Sequence, residues 1–156
     1  SWGGSIDVTS TVGLGSTLTI RLPVNDRAKW YLPRLKFNPD SKIYVLDDQE
    51  SGRALWQLKF DDTELLKQTK FMSHGNELLP IKHEIESAPD NCTLLFDYDL
   101  GGGDTGLKWL QQMPEAATRC LVTGHFDNDD VRASCIQYGV YLIPKSQIAE
   151  IPVIVR

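Results

Sequence analysis

The chain has 156 residues, enough for one ordinary domain with a sizeable core and a small appendage. Its net charge is −5, from 21 acidic and 16 basic residues with no basic run, which argues against any partner bound through a nucleic-acid phosphate backbone. The three cysteines, Cys92, Cys120 and Cys135, are odd in number, far apart and set in apolar or helical surroundings, so a disulfide framework or zinc site is a forced reading and reduced, mostly buried thiols are expected. No apolar run approaches the roughly 18 residues a membrane span needs, and the start lacks the regions of a signal peptide. A cytoplasmic chain without membrane contact of its own is the expectation. It begins without methionine and inside a motif, as a piece of a longer protein would.

Residues 4–23, "GSIDVTSTVGLGSTLTIRLP", alternate apolar and polar residues around "GLG", the pattern of a half-exposed antiparallel hairpin. Residues 24–41 hold two prolines and scattered charges without a clean period. They read as a linker that packs locally through Trp30, Tyr31, Leu35 and Phe37. From Lys42 the texture changes. "KIYVLDD" is a short apolar run ending in acids, followed by "ESGRALWQLKF", in which Ala54, Leu55 and Leu58 fall at helical spacing. "KQTKFMSH" and "NELLPIKHEIESA" repeat strand and helix less clearly, with Pro80 restricted to a first turn or a kink. "CTLLFD" and "TGLKWLQQM" form the third pair. "TRCLVTG" and "DNDDVRASCIQY" form the fourth, the acids crowding the helix start as the helix dipole favours. "VYLIPKS" closes the series, and the final "PVIVR" reads as extended rather than as a fifth helix.

Five strands alternating with helices predict a doubly wound α/β domain with a five-stranded parallel sheet, flavodoxin-like, of order 2-1-3-4-5, preceded by the N-terminal β-hairpin. Sites in such sheets lie at the carboxyl ends of the strands, near the reversal of strand order. Those ends carry Asp47 and Asp48 after the first strand, Asp97 after the third, Thr123 after the fourth and Lys145 after the fifth. In the 2-1-3-4-5 order three carboxylates converge and repel one another, which a hard divalent cation such as Mg²⁺ relieves. One aspartate then serves as nucleophile toward a phosphoryl group, with lysine and threonine binding its equatorial oxygens.

In this order and spacing, "VLDD", "LLFDYDL", "LVTG" and "LIPKS" resemble the receiver domain of two-component signalling, over about residues 42–148. The resemblance implies that Asp97 is the phosphoacceptor, Asp48 a direct Mg²⁺ ligand, Asp47 its outer partner, and Asp99 a ligand through its backbone carbonyl. It implies roles in phosphoryl chemistry for Thr123 and Lys145. "GGSIDVTSTVGLGSTLTIRLP" resembles the end of a histidine-kinase ATP-binding domain, "GLGST" matching a glycine-rich box; most of that pocket is missing, so Gly13 and Gly15 are expected to bind nothing. The implied division is a kinase remnant over 1–23, a linker over 24–41 and a receiver over 42–156, the layout of a hybrid sensor histidine kinase, bacterial in type and with a membrane anchor left open for the parent. The implied partner is a phosphohistidine-bearing domain, either the parent's own kinase core or a histidine phosphotransfer protein. Lacking the family's long fifth helix, the fragment is expected to be a monomer.

Two other classes compete. "FDYDLGG" also resembles the DxD signature of haloacid-dehalogenase-type phosphatases, with Asp97 as nucleophile and Asp99 as acid/base, but there the paired acids come last, and here they precede "DYD". A degenerate receiver used only for docking is the third class. Ser146, Gly101 and Leu142 stand where the family usually has two prolines and a switching aromatic. Trp56 and Trp109 read as packing; His74, His83 and His125 read as surface residues, His125 near the site; and Gly101–Gly103 read as the site's rim.

Overall fold

The computed structural model describes residues 4–22 and 30–156. The first described element is a hairpin of β1 (Ser5–Thr11) and β2 (Gly15–Arg21), in register with Ile6 opposite Ile20 and Val8 opposite Leu18. Gly13 and Gly15 shape its turn with φ of 81° and 104°, a backbone region that costs glycine nothing.

The main sheet is parallel and five-stranded. Its strands are β4 (Lys42–Leu46), β5 (Thr69–Met72), β6 (Cys92–Asp97), β7 (Thr118–Thr123) and β8 (Tyr141–Pro144), side by side in the order β5-β4-β6-β7-β8. This is the 2-1-3-4-5 order that the alternation predicts. Both faces are covered, so the strands are unbroken apolar runs whose successive side chains enter different cores. Tyr44, Leu46, Leu94, Phe96, Leu121 and Leu142 pack in one core, against Ile85, Leu110, Val131 and Cys135 of the helices on that side. Ile43, Val45, Leu95, Cys120, Val122 and Ile143 pack in the other, against Trp56 and Phe60 of α1 (Glu50–Phe60). All three cysteines are free and buried.

The helices on the first face are α2 (Lys82–Ser87), α3 (Gly106–Leu110) and α4 (Asp129–Tyr138). α3 starts where the Thr105 hydroxyl accepts the Lys108 N–H. α4 starts where the Asn128 side chain accepts two N–H groups, and it ends at Gly139 in the left-handed conformation. Two expected helices are shorter than their patterns. Around Pro80, which has no N–H to give, the chain winds as a 3-10 helix (Gly75–Ile81) before α2. α3 stops before the segment that runs into Pro114, where the α region is disfavoured.

The segment expected as a linker is built onto the fold from Trp30 onward; residues 23–29, like 1–3, lie outside the described residues. Leu35–Phe37 forms β3, which pairs in parallel with β9 (Val153–Val155), so the extended reading of "PVIVR" holds. Leu35 and Phe37 are buried in the same core as Trp56, with Ile148 and Ile151 beside them. Upstream, Tyr31 bridges to Leu142 and the Leu142 N–H donates to the Trp30 carbonyl at 2.7 Å, which places this segment along β8. Among the described residues no helix is long and apolar enough to cross a membrane.

Candidate functional site

The crossing of the chain between β4 and β6 puts four sequence-predicted residues into one small volume. Asp47 and Asp48 follow β4; the Asp47 N–H still donates to Met72 at 3.1 Å, continuing the ladder toward β5. Asp97 is the last residue of β6, and Lys145 directly follows β8. Asp47, Asp48 and Asp97 each offer a carboxylate oxygen within 4.8 Å of the others. Lys145 Nζ lies 2.9 Å from Asp97 Oδ2 and 3.4 Å from Asp47 Oδ2.

Among the described residues three carboxylates face one ammonium, and the excess negative charge sits where little water reaches: Asp47 and Asp97 are each 3% exposed. Burial pushes the Asp97 carboxyl up to about 6, the Lys145 hydrogen bond opposing the rise and the Asp47 charge adding to it. Burial acts against the Lys145 ammonium, but its hydrogen bonds and charge contacts with Asp97 and Asp47 outweigh this and raise its pKa. Asp48 Oδ1 is buried and has no hydrogen-bond partner among the described residues. An orphaned hard oxygen within a carboxylate cluster fits a divalent cation such as Mg²⁺, which takes oxygen ligands and keeps other positions for water and phosphate.

Thr123 ends β7, one residue beyond Val122, which is the register partner of Asp97. It is buried, and its hydroxyl accepts the N–H of His125 at 2.9 Å. Asp99 stands apart from the cluster. Its carboxylate is exposed and accepts the Gly101 N–H at 3.1 Å, while its backbone bridges to Thr105. Gly101, Gly102 and Gly103 all have positive φ, 73°, 59° and 82°, and form the rim, with Gly101 closest to Asp48. His125 is exposed and stands edge-on to Tyr98, ring centroids 6.3 Å apart. His74 and His83 are exposed, Trp56 is buried in the core and Trp109 is partly buried against its cluster.

Three further residues hold Asp47, and sequence reasoning passes over them. The Gln49 N–H donates to Asp47 Oδ1 at 2.9 Å, Arg53 Nη1 donates to the Asp47 carbonyl at 2.6 Å, and Gly52 lies buried beneath the carboxylate. The available signal was a glycine inside an otherwise good helical run, which costs stability unless something needs it.

No protein-family model and no curated protein matches the chain. Solved structures match it in fold. The receiver domain of the histidine kinase CKI1 from Arabidopsis thaliana, complexed with Mg²⁺, superposes with a TM-score of 0.58 at 15% identity, covering 74% of this chain and 90% of that one. An alanine mutant of that domain gives 0.58 at 15% identity, over 71% of this chain and 86% of that one. The receiver domain of RcsB from Salmonella enterica serovar Typhimurium, in the presence of the phosphomimetic BeF₃⁻, gives 0.53 at 11% identity, over 71% and 78%. The chain has the receiver-domain fold.

Proposed function

We propose that the chain is a phosphoacceptor receiver module of a phosphorelay, taking a phosphoryl group from phosphohistidine onto Asp97. The observation that carries the reading is the Lys145 ammonium 2.9 Å from Asp97 Oδ2, at the edge of a carboxylate cluster within a receiver fold. Asp97 is the nucleophile because it makes the shorter contact with Lys145, 2.9 Å against 3.4 Å for Asp47, and ends the central strand. Its carboxylate oxygen attacks phosphorus as the phosphorus–imidazole bond breaks; the electron pair leaves with the imidazole, which takes up a proton. Lys145, released from its pairing, and the Thr123 hydroxyl, released from the His125 N–H, bind the equatorial oxygens. Asp48 and Asp97, with the Asp99 carbonyl and with Asp47 as outer partner, would hold Mg²⁺, which supplies neutralisation of the phosphoryl charge.

The wider reading, a hybrid sensor histidine kinase in which this module follows the ATP-binding domain, rests on the "GLGST" resemblance, whose expected hairpin is present as β1 and β2. The phosphatase alternative needs Asp99 as acid/base beside Asp97, and the exposed Asp99 carboxylate bonded to Gly101 gives it no support.

Intact mass after incubation with acetyl phosphate and Mg²⁺ tests the reading. A single phosphoryl adduct, lost in Asp97→Asn, is expected. Turnover of generic phosphomonoesters would make the chain a phosphatase, and neither adduct nor turnover would leave it a docking module.

A further inference from the structure

Gly52 lies in the first turn of α1 and is buried. Glycine in a helix costs about 0.5–1 kcal/mol relative to alanine, so its presence calls for a cause. Backbone conformation is not the cause: Gly52 is absent from the glycines with positive φ, and its helical geometry suits any residue. The cause is a neighbour. A β-carbon on Gly52 would stand 1.9 Å from Asp47 Oδ2, 2.4 Å from Cγ and 2.7 Å from Oδ1, far inside contact distance. The carboxylate of Asp47 occupies the volume that every other amino acid fills with its side chain.

That carboxylate cannot give way freely. Its Oδ1 is fixed by the Gln49 N–H, its backbone carbonyl by Arg53, and its Oδ2 faces Lys145. Displaced from Gly52, it would have to lose the Gln49 bond and move among Asp48, Asp97 and Lys145, the groups on its other side. The nearest atoms to a β-carbon at position 52 all belong to Asp47, so the missing side chain serves this one residue.

We infer that Gly52 is a positioning residue whose missing β-carbon seats the Asp47 carboxylate and thereby sets the spacing of the three-carboxylate cluster. The seat stands on geometry alone; its consequence for Mg²⁺ rests on the function proposed above. Gly52→Ala then has opposite effects on the helix and on the site. The helix gains propensity, while the cluster loses its spacing, and Mg²⁺ affinity falls about tenfold or more, the usual effect of disturbing a group that supports a metal ligand.

The experiment is a double-mutant cycle of Gly52→Ala and Asp47→Ala, read by melting temperature without metal and by Mg²⁺ titration calorimetry. In the native background Gly52→Ala should lower the melting temperature and weaken Mg²⁺ binding; in the Asp47→Ala background, where no carboxylate is left to displace, it should raise the melting temperature. If Gly52→Ala alone does not fold, folding of the double variant supports the seat and its failure overturns it. Equal destabilisation in both backgrounds, or unchanged Mg²⁺ affinity in a folded Gly52→Ala, would also overturn it. Native protein that binds no Mg²⁺ while the melting temperatures still couple would count against the proposed function and leave the seat of Asp47 standing.

Discussion

Lys145 Nζ reaches across β7 to Asp97, 2.9 Å from its Oδ2, and in doing so also comes within 3.4 Å of Asp47. One cation thus ties the ends of β4, β6 and β8 together. It balances only part of the negative charge there, so the site holds more carboxylate than the metal-free fold accommodates at ease.

The first prediction follows from that imbalance. The Asp97 carboxyl is raised from 3.8 to about 6 in the folded chain, so folding favours its protonated form. The associated stability is fully present below about pH 4 and is lost as pH rises through about 6. Glu77 and Glu84 pull the other way. Hydrogen bonds from Ser73 and from Lys42, respectively, hold their carboxyls low, and the stability they add is present at higher pH and lost on acidification. Comparing native protein with Asp97→Asn isolates the one group. In EDTA the variant should gain on the native protein by on the order of 2 kcal/mol between pH 4 and pH 7, measured by urea unfolding. Parallel pH profiles would refute it.

The catalytic-looking residues were legible because a buried parallel strand is an unbroken apolar run, and the first polar residue after it marks the strand's carboxyl end. "KIYVL", "CTLLF", "TRCLV" and "YLIP" therefore announce Asp47, Asp97, Thr123 and Lys145 without any knowledge of packing. β3 was illegible for the converse reason. Leu35–Phe37 is three residues long, and its partner Val153–Val155 lies at the far end of the described chain, so no local period reports the pairing. Gly52 was hidden because its reason is a three-dimensional neighbour, Asp47, and the run around Pro80 because one imino acid turns a helical pattern into a 3-10 winding.

The second prediction concerns the lysine. Lys145→Met keeps an unbranched side chain one atom shorter and removes the ammonium beside Asp97. Adduct formation from acetyl phosphate should slow by about a hundredfold, the usual loss when one preorganised donor to a developing oxyanion is removed. Mg²⁺ binding, carried by the carboxylates, should survive. A rate within twofold of native, followed by mass spectrometry over time, would remove Lys145 from the proposed mechanism.

The third prediction lies away from the site. Arg119 is buried in β7 with no carboxylate partner among the described residues; Nη1 donates to the Leu110 and Met113 carbonyls at 3.3 Å, and Nη2 to the Tyr138 carbonyl at 2.6 Å. Leu110 and Tyr138 are the last residues of α3 and α4, so one guanidinium satisfies the carbonyl ends of two helices, where a cation is favoured. Arg119→Met removes the donor to the Met113 and Tyr138 carbonyls, leaves Leu110 only the Met113 N–H at 3.1 Å, and should cost about 2–4 kcal/mol by urea unfolding. Phosphorylation at low temperature, where the variant is folded, should be near native.

The last prediction is about assembly. An exposed strand edge invites pairing with a second chain, and β8 is an outer strand of the main sheet. Here the chain's own segment lies along it: Leu142 donates to the Trp30 carbonyl, Tyr31 bridges to Leu142, and the Arg132 guanidinium of α4 sits 5.3 Å over the Trp30 ring. Arg132 Nε also donates to the Phe126 carbonyl at 2.7 Å, tying that clamp to the loop after Thr123. Beyond Lys145 the chain makes a single 3-10 turn and then β9, which pairs with β3 instead of presenting a long helix face. The β8 edge is accordingly covered within the chain, and the described residues after β8 pair as a strand with β3. The protein should sediment as a monomer with Mg²⁺ and beryllofluoride at roughly 100 μM, a concentration at which a dimer of micromolar dissociation constant is almost fully formed. Trp30→Ala should then loosen the segment, destabilise the fold by about 1–3 kcal/mol through the lost apolar burial, and permit self-association. A native protein that dimerises on beryllofluoride treatment would refute this prediction.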